Sequence, residues 1–158
     1  MPGYVVPDDP EGLLPWSWAE QRLTTCRNYW VVTVDASGRP HSLPTWGVWS
    51  PADSAFWFSS SPTARKVRNL VANPRMVVTT DDSVEVVSVE GRAHPIADID
   101  RDRMAEAFAA KYEEDPDART AMADFVRSNA ILTMTPERAF GIIETPEDFS
   151  RRATKWVW

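Results

Sequence analysis

The sequence predicts an α+β fold in which an antiparallel sheet closes into a barrel. Two observations carry this. Runs of β-branched and aromatic residues cluster in consecutive groups joined by turn residues, as hairpins require. The helical stretches stand apart from those groups instead of alternating with them one for one. The chain has 158 residues and no repeat, low-complexity tract or linker. That predicts one domain over residues 15–158, preceded by an extended arm over 1–14 that holds Pro2, Pro7, Pro10 and Gly12.

Each element has its own local signal. Ser17 with Glu20 three residues on forms a capping-box pattern. Trp16, Ala19, Leu23 and Cys26 follow helical spacing, so a short helix should run to about Arg27. Residues 29–34, 41–49 and 55–59 read as three strands of an antiparallel meander. Pro44 within the second argues for an edge or a bulge, because proline cannot donate to a ladder. Ala64, Val67, Leu70 and Val71 mark a short helix that Asn73-Pro74 ends. Residues 75–80 and 84–94 are two more strands, with Gly91 marking a bulge. Met104, Phe108 and Tyr112 lie at i, i+4, i+8 on a helix whose acids form a solvated face. Asp115 and Pro116 then cap and start another, with Met122, Phe125 and Val126 as its buried face. Residues 130–135 and 138–143 return to strand, and 154–158 add a last extended piece.

Composition removes several function classes. The net charge is −6, which argues against nucleic acid as a partner. No stretch approaches the roughly 20 apolar residues of a membrane span. The first residues show no secretory leader. Cys26 is the only cysteine, so no internal disulfide forms, and a buried thiol in a reducing, cytoplasmic setting is expected. His41 and His94 lack metal-ligand spacing, so no metal site is predicted. No nucleophile–base pattern is present, so no side chain is assigned a catalytic role and any chemistry must come from a cofactor. Eight of the 17 aromatic residues are tryptophan. Indole is seldom fully buried, so this excess asks for an interface or a flat ligand.

The chemistry concentrates in residues 56–70. A strand runs into Ser59, Ser60 and Ser61, and Thr63 is the expected N-cap of the helix that follows. Arg65, Lys66 and Arg68 occupy the start of that helix, where cations oppose the helix dipole. An anion resolves the conflict: backbone N–H groups, hydroxyls and cations together make a phosphate cradle. The competing reading is a solvated basic face paired to surplus acids elsewhere. The loop holds no glycine, so a nucleotide-triphosphate loop is disfavoured. In the second informative segment, Gly47 stands between Trp46 and Trp49 and permits close approach to something flat. Trp49 reads as core, whereas Thr45 and Trp46 are divided evenly between core and ligand.

The stretch FWFSSSPTARKVRNLVANPRMVV resembles the pyridoxamine-phosphate-oxidase-like flavin and deazaflavin oxidoreductases, and GRPHSLPTWGVW and ATKWVW are similar to the same superfamily. The resemblance implies a split β-barrel, a homodimer with cofactors at the subunit interface, and a small-molecule substrate. Within the superfamily the chain looks most like the branch that uses the deazaflavin coenzyme F420, with FMN as the alternative. The implied activity is hydride transfer to a small, conjugated or aromatic acceptor; a cofactor-binding or storage protein without turnover is the competing class. The resemblance also implies residue roles. Lys66 would meet the cofactor phosphate, with Arg65 or Arg68 beside it and Ser59, Ser60 and Ser61 supplying hydroxyls. Asn69 would hold the loop or touch the cofactor tail. Leu43, Pro44, Thr45 and Trp46 would border the ring, and Lys155 and Trp156 would approach from the C-terminus, across a dimer. The chain departs from the pattern at Lys155, where arginine is usual, so a bidentate contact becomes a point charge. The pyridoxal-phosphate-binding motifs of the vitamin-pathway oxidase are not recognisable, and that activity is not predicted.

Overall fold

A computed structural model describes residues 12–149 and 151–158. The elements in chain order are α1 (Trp16–Thr25), β1 (Tyr29–Val34), β2 (Pro40–Thr45), β3 (Gly47–Ser50), β4 (Ala55–Ser60), α2 (Arg65–Ala72), β5 (Arg75–Thr80), β6 (Glu85–Pro95), α3 (Arg101–Tyr112), α4 (Pro116–Arg127), β7 (Ala130–Ile143) and β8 (Thr154–Val157). All strand pairs are antiparallel, so the predicted α+β class with an antiparallel sheet holds.

The sheet path runs β2-β1-β5-β6-β7-β4-β3, with β8 added to β7. Six inter-strand gaps at ~4.8 Å would separate β2 from β3 by about 29 Å in a flat sheet. Trp46 alone joins them in the chain, so their facing ends lie within about 7 Å. Only a sheet curled on itself satisfies both conditions, and the result is a split barrel. The expected three-strand meander is therefore corrected. Residues 41–49 are not one strand: β2 pairs with β1, β3 pairs with β4, and the chain crosses the barrel's split at Trp46. Pro44 sits on an end strand, as its missing donor requires.

Alternation decides which residues fill the barrel. Tyr29, Val31, Trp49, Phe56, Phe58, Val78, Val87, Val89 and Met134 form its buried core, and α1 adds Ala19 and Leu23. A second core lies between the sheet and the α3–α4 hairpin, built on Trp57, Met104, Phe108, Ala109, Val126 and Ile131. β7 is one strand of 14 residues rather than two. It continues through Pro136 because the register slips there: Glu90 opposes Arg138 but Gly91 opposes Pro136, leaving Glu137 as the extra residue of a bulge. Gly91 is required, since a Cβ there would lie 2.2 Å from the Thr135 carbonyl oxygen.

Three local expectations fail for identifiable reasons. The capping box at Ser17 is not made, because α1 starts earlier, behind Pro15, and Glu20 Oε1 instead accepts from the indoles of Trp16 (3.4 Å) and Trp49 (3.5 Å). Thr63 does not cap α2: the cap position is Ala64, while the Thr63 hydroxyl lies 3.0 Å from Ser61 Oγ. Phe125 is 63% exposed, because α4 turns Ala123 and Val126 inward. Asp115 caps α4 as expected, accepting from the amides of Asp117 and Ala118. The predicted arm lies largely outside the described residues, but its end is anchored. Leu14 is buried and its amide donates to Thr154 Oγ1 at 2.8 Å.

Candidate functional site

The start of α2 lies against β2 and β1, beside the split. Among the described residues no side chain caps α2, so its first amides are open to solvent or to an outside acceptor. Lys66 reaches inward and donates to Thr45 Oγ1 at 2.6 Å. Burial of its ammonium pulls its pKa below the ordinary lysine value. Arg65 Nη1 lies 3.2 Å from His41 Nδ1, and His41 Nε2 lies 3.1 Å from Asp35 Oδ2. The guanidinium can only donate, so His41 accepts through Nδ1 and donates through Nε2–H to Asp35. Asp35 is held well below the usual carboxylate range by the Ser37 hydroxyl, His41 and the Arg39 amide. Arg68 turns back to the Thr63 carbonyl. Among the described residues, none of Arg65, Lys66 and Arg68 pairs with a carboxylate, although eight ion pairs form elsewhere among them. Arg65 and Arg68 are exposed, as a solvated basic face requires, whereas Lys66 is half-buried.

These groups border a cavity of about 240 Å³ lined by Val31, Thr33, His41, Leu43, Arg65 and Lys66. Asn69 faces inward beside it, its Nδ2 donating to Thr33 Oγ1 at 2.9 Å, so it ties α2 to β1. A second cavity of about 170 Å³ is lined by Trp46, Ser59, Ser60 and Ser61 together with residues of α3 and α4. The structure thus divides the expected site. Leu43, Thr45, Arg65 and Lys66 come together; Trp46 and the three serines belong to the neighbouring cavity. Pro44 is exposed, opposite Trp30.

The C-terminal residues lie elsewhere in the single chain. Lys155 lines an open groove of about 570 Å³ on the outer sheet face, with Arg75, Glu90 and Arg138. Trp156 points to the opposite face of β8. It packs edge-on against Trp16 at 5.5 Å between ring centroids and covers Gly141, where a Cβ would lie 2.6 Å from the indole. Gly47 also serves the chain's own packing: a Cβ there would fall 2.3 Å from the Phe56 ring.

Sequence reasoning missed two contributors. His41 reads from its context only as a turn or strand histidine. Lys111 and Tyr112 grip the crossover: Lys111 Nζ donates to Gly47 O (3.0 Å) and Tyr29 Oη (2.6 Å), while Gly47 N donates to Tyr112 Oη (2.9 Å). Trp46 stacks on Tyr112 at 4.7 Å with 10° between planes. The apolar stripe announces Tyr112, but nothing in the sequence separates Lys111 from a solvated lysine. Cys26 fits its expected inert role: its thiol donates to Asn28 O, and burial pushes its pKa up to about 11. Among the described residues no group of histidine, cysteine or acidic side chains can hold a metal, and no helix is long and apolar enough to cross a membrane.

The curled sheet defines a split-barrel protein, with Arg65 and Lys66 bordering the cavity beside its split. The profile of the pyridoxamine 5'-phosphate oxidase family matches residues 19–141, and the chain belongs to that family. No curated protein matches it. Among solved structures it is similar to the conserved hypothetical protein Rv2991 from Mycobacterium tuberculosis, with a TM-score of 0.71 and 15% identity over 85% of this chain and 88% of that one. PhzG from Burkholderia lata 383, solved with tetrahydrophenazine-1-carboxylic acid, gives 0.61 and 14%, covering 99% of each chain. The heme storage protein HutZ from Vibrio cholerae gives 0.60 and 17% over 79% of this chain and 91% of that one. At these identities the likeness is one of fold.

Proposed function

We propose that this chain is an oxidoreductase that binds a phosphate-bearing deazaflavin, coenzyme F420, and passes a hydride to a small conjugated or aromatic acceptor. The observation that carries the reading is the set of cations at an uncapped helix start with no carboxylate partner among the described residues. Such a site suits a phosphate, in a chain whose net charge is otherwise negative.

In this reading Lys66 and Arg65 balance the phosphate charge, and Thr45 fixes the Lys66 ammonium. Leu43 and Trp46 exclude water on either side of the strand crossover. When bound, the coenzyme supplies the hydride chemistry, and no side chain is needed as acid or base. A second copy of the chain completes the site, bringing Lys155 toward it; the small size of the Lys66 cavity favours this arrangement. FMN is the second reading, because the same cationic cradle suits its phosphate equally well.

Titration of the purified protein with F420 and with FMN, read by tryptophan fluorescence, tests both. Lys66→Ala should weaken binding of the preferred cofactor about tenfold, or ~1.4 kcal/mol. Unchanged affinity removes the phosphate from Lys66. A yellow flavin retained through dialysis selects FMN, and tight binding with no turnover over a broad acceptor panel selects a carrier.

A further inference from the structure

We propose that the cavity between β4 and the α3–α4 hairpin is a binding site for a neutral, single-ring aromatic molecule bearing one hydroxyl or carbonyl group, and that it receives the acceptor. The placement of the acceptor rests on the function proposed above; the cavity's ligand class stands on its own observations.

Its walls are Trp46, Phe108, Met122, Phe125 and Val126, with serines and Asn129 as the polar part. No charged side chain among the described residues lines it, so a charged ligand would lose its hydration without compensation. Its volume of about 170 Å³ is close to the ~150 Å³ that suffices to hold benzene in an apolar protein cavity. Thioether and aromatic walls favour a ring over an aliphatic chain.

The polar group of the ligand follows from what the cavity leaves unmet. Ser59 is one of the lining residues, and its Oγ is buried with no hydrogen-bond partner. Ser61 Oγ is already engaged with Thr63, and Asn129 Nδ2 donates to Phe125 O at 2.9 Å. Among the hydroxyls of this lining, Ser59 Oγ is the one that is buried and left without a partner among the described residues. Phe125 is the mouth of the site: it is a large apolar side chain left in solvent, one helical position from the buried Val126. Thr45 touches Lys66 and the next residue, Trp46, lines this cavity, so a ring held here lies one residue from the anion pocket.

Phenol, toluene and benzoate test the proposal on the full chain without any cofactor, read by ¹H–¹⁵N spectra. Phenol and toluene should give saturable shifts at the Trp46 indole N–H and the Ser59 amide, and benzoate should not. Ser59→Ala should weaken phenol about five- to tenfold and leave toluene unchanged, the signature of one lost hydrogen bond. Phe125→Asp, at an exposed position that folding does not depend on, should weaken both. Lys66→Ala should leave phenol binding intact. The proposal is overturned if phenol gives no saturable shift at millimolar concentration, if benzoate binds as well as phenol, or if Ser59→Ala and Phe125→Asp bind phenol like the native chain. Failure of the cofactor reading looks different: F420 and FMN titrations that ignore Lys66, with aromatic binding unaffected.

Discussion

Lys111 shows what a single buried charge costs and how that cost can be read. Its ammonium donates to the Tyr29 hydroxyl and the Gly47 carbonyl and has no carboxylate partner among the described residues. Burial pulls its pKa down to about 8. An unfolded lysine titrates near ~10.4, so between about pH 8 and 10.4 the unfolded chain binds more protons, and stability gained through this residue rises with pH. Cys26 works in the opposite sense, since its thiol is held up at about 11 and the unfolded chain loses that proton first. Comparison with Lys111→Met isolates the lysine. In urea denaturation at pH 7 and pH 10, the native chain should gain stability relative to the variant at the higher pH. A constant difference would show that the ammonium is not desolvated. The same residue marks the limit of sequence reading. Lys66 was legible because a cation at a helix start breaks a local rule. Lys111 breaks none, and its burial is imposed by a strand crossover far away in sequence.

At the scale of elements, two glycines separate two kinds of constraint. Gly38 has φ of 84° and nothing within 4 Å of where a Cβ would stand. Gly38→Ala should therefore cost about 1 kcal/mol, the conformational penalty alone. At Gly91 the added Cβ meets backbone at the β6–β7 bulge, where no side-chain rotation relieves the clash. Gly91→Ala should cost about 2–3 kcal/mol or more, seen as a larger fall in the denaturation midpoint. Equal costs would mean that the bulge yields. Most elements announced themselves through local chemistry, including the Pro44 end strand, the Asp115-Pro116 helix start and the Gly91 bulge. Their partners did not. Residues 41–49 have the composition of one strand, and only the closure of the sheet splits them at Trp46. Ser17-x-x-Glu20 has the pattern of a cap, but two indoles compete for the glutamate.

Across the whole molecule the outer sheet face remains half apolar. A row of cross-strand neighbours runs Pro44, Trp30, Thr79, Ser88, Phe140 and Lys155 from β2 to β8. Trp30 is 45% exposed at an outward-facing position of β1. If a second copy covers this face, sedimentation should give twice the 17.8 kDa chain mass, and Trp30→Arg should shift the protein to monomer while its circular dichroism stays unchanged. A native chain that sediments as a monomer would place Lys155 permanently apart from the Lys66 pocket. The tryptophan excess is divided accordingly. Trp49 and Trp57 are core, as expected of Trp49; Trp16 joins Trp49, Trp156 and Trp158 in edge-on contacts, and Trp18 carries the Arg22 guanidinium over its ring. Trp30 and Trp46 remain for a partner or a ligand.

The junction at Trp46 has a mechanical consequence. No ladder links β2 to β3, so the circumference is fastened there by covalent bonds, with Lys111 and Tyr112 as rivets. Leu14 already lies within hydrogen-bond reach of Thr154, so the two ends of the folded unit are neighbours. A circular permutant opened between Trp46 and Gly47, with residues 14 and 158 tethered, would retain every strand pair and lose only the fastener. Its seam would be free to gape, and the two cavities that flank the seam would lose their common wall while the rest of the fold stood.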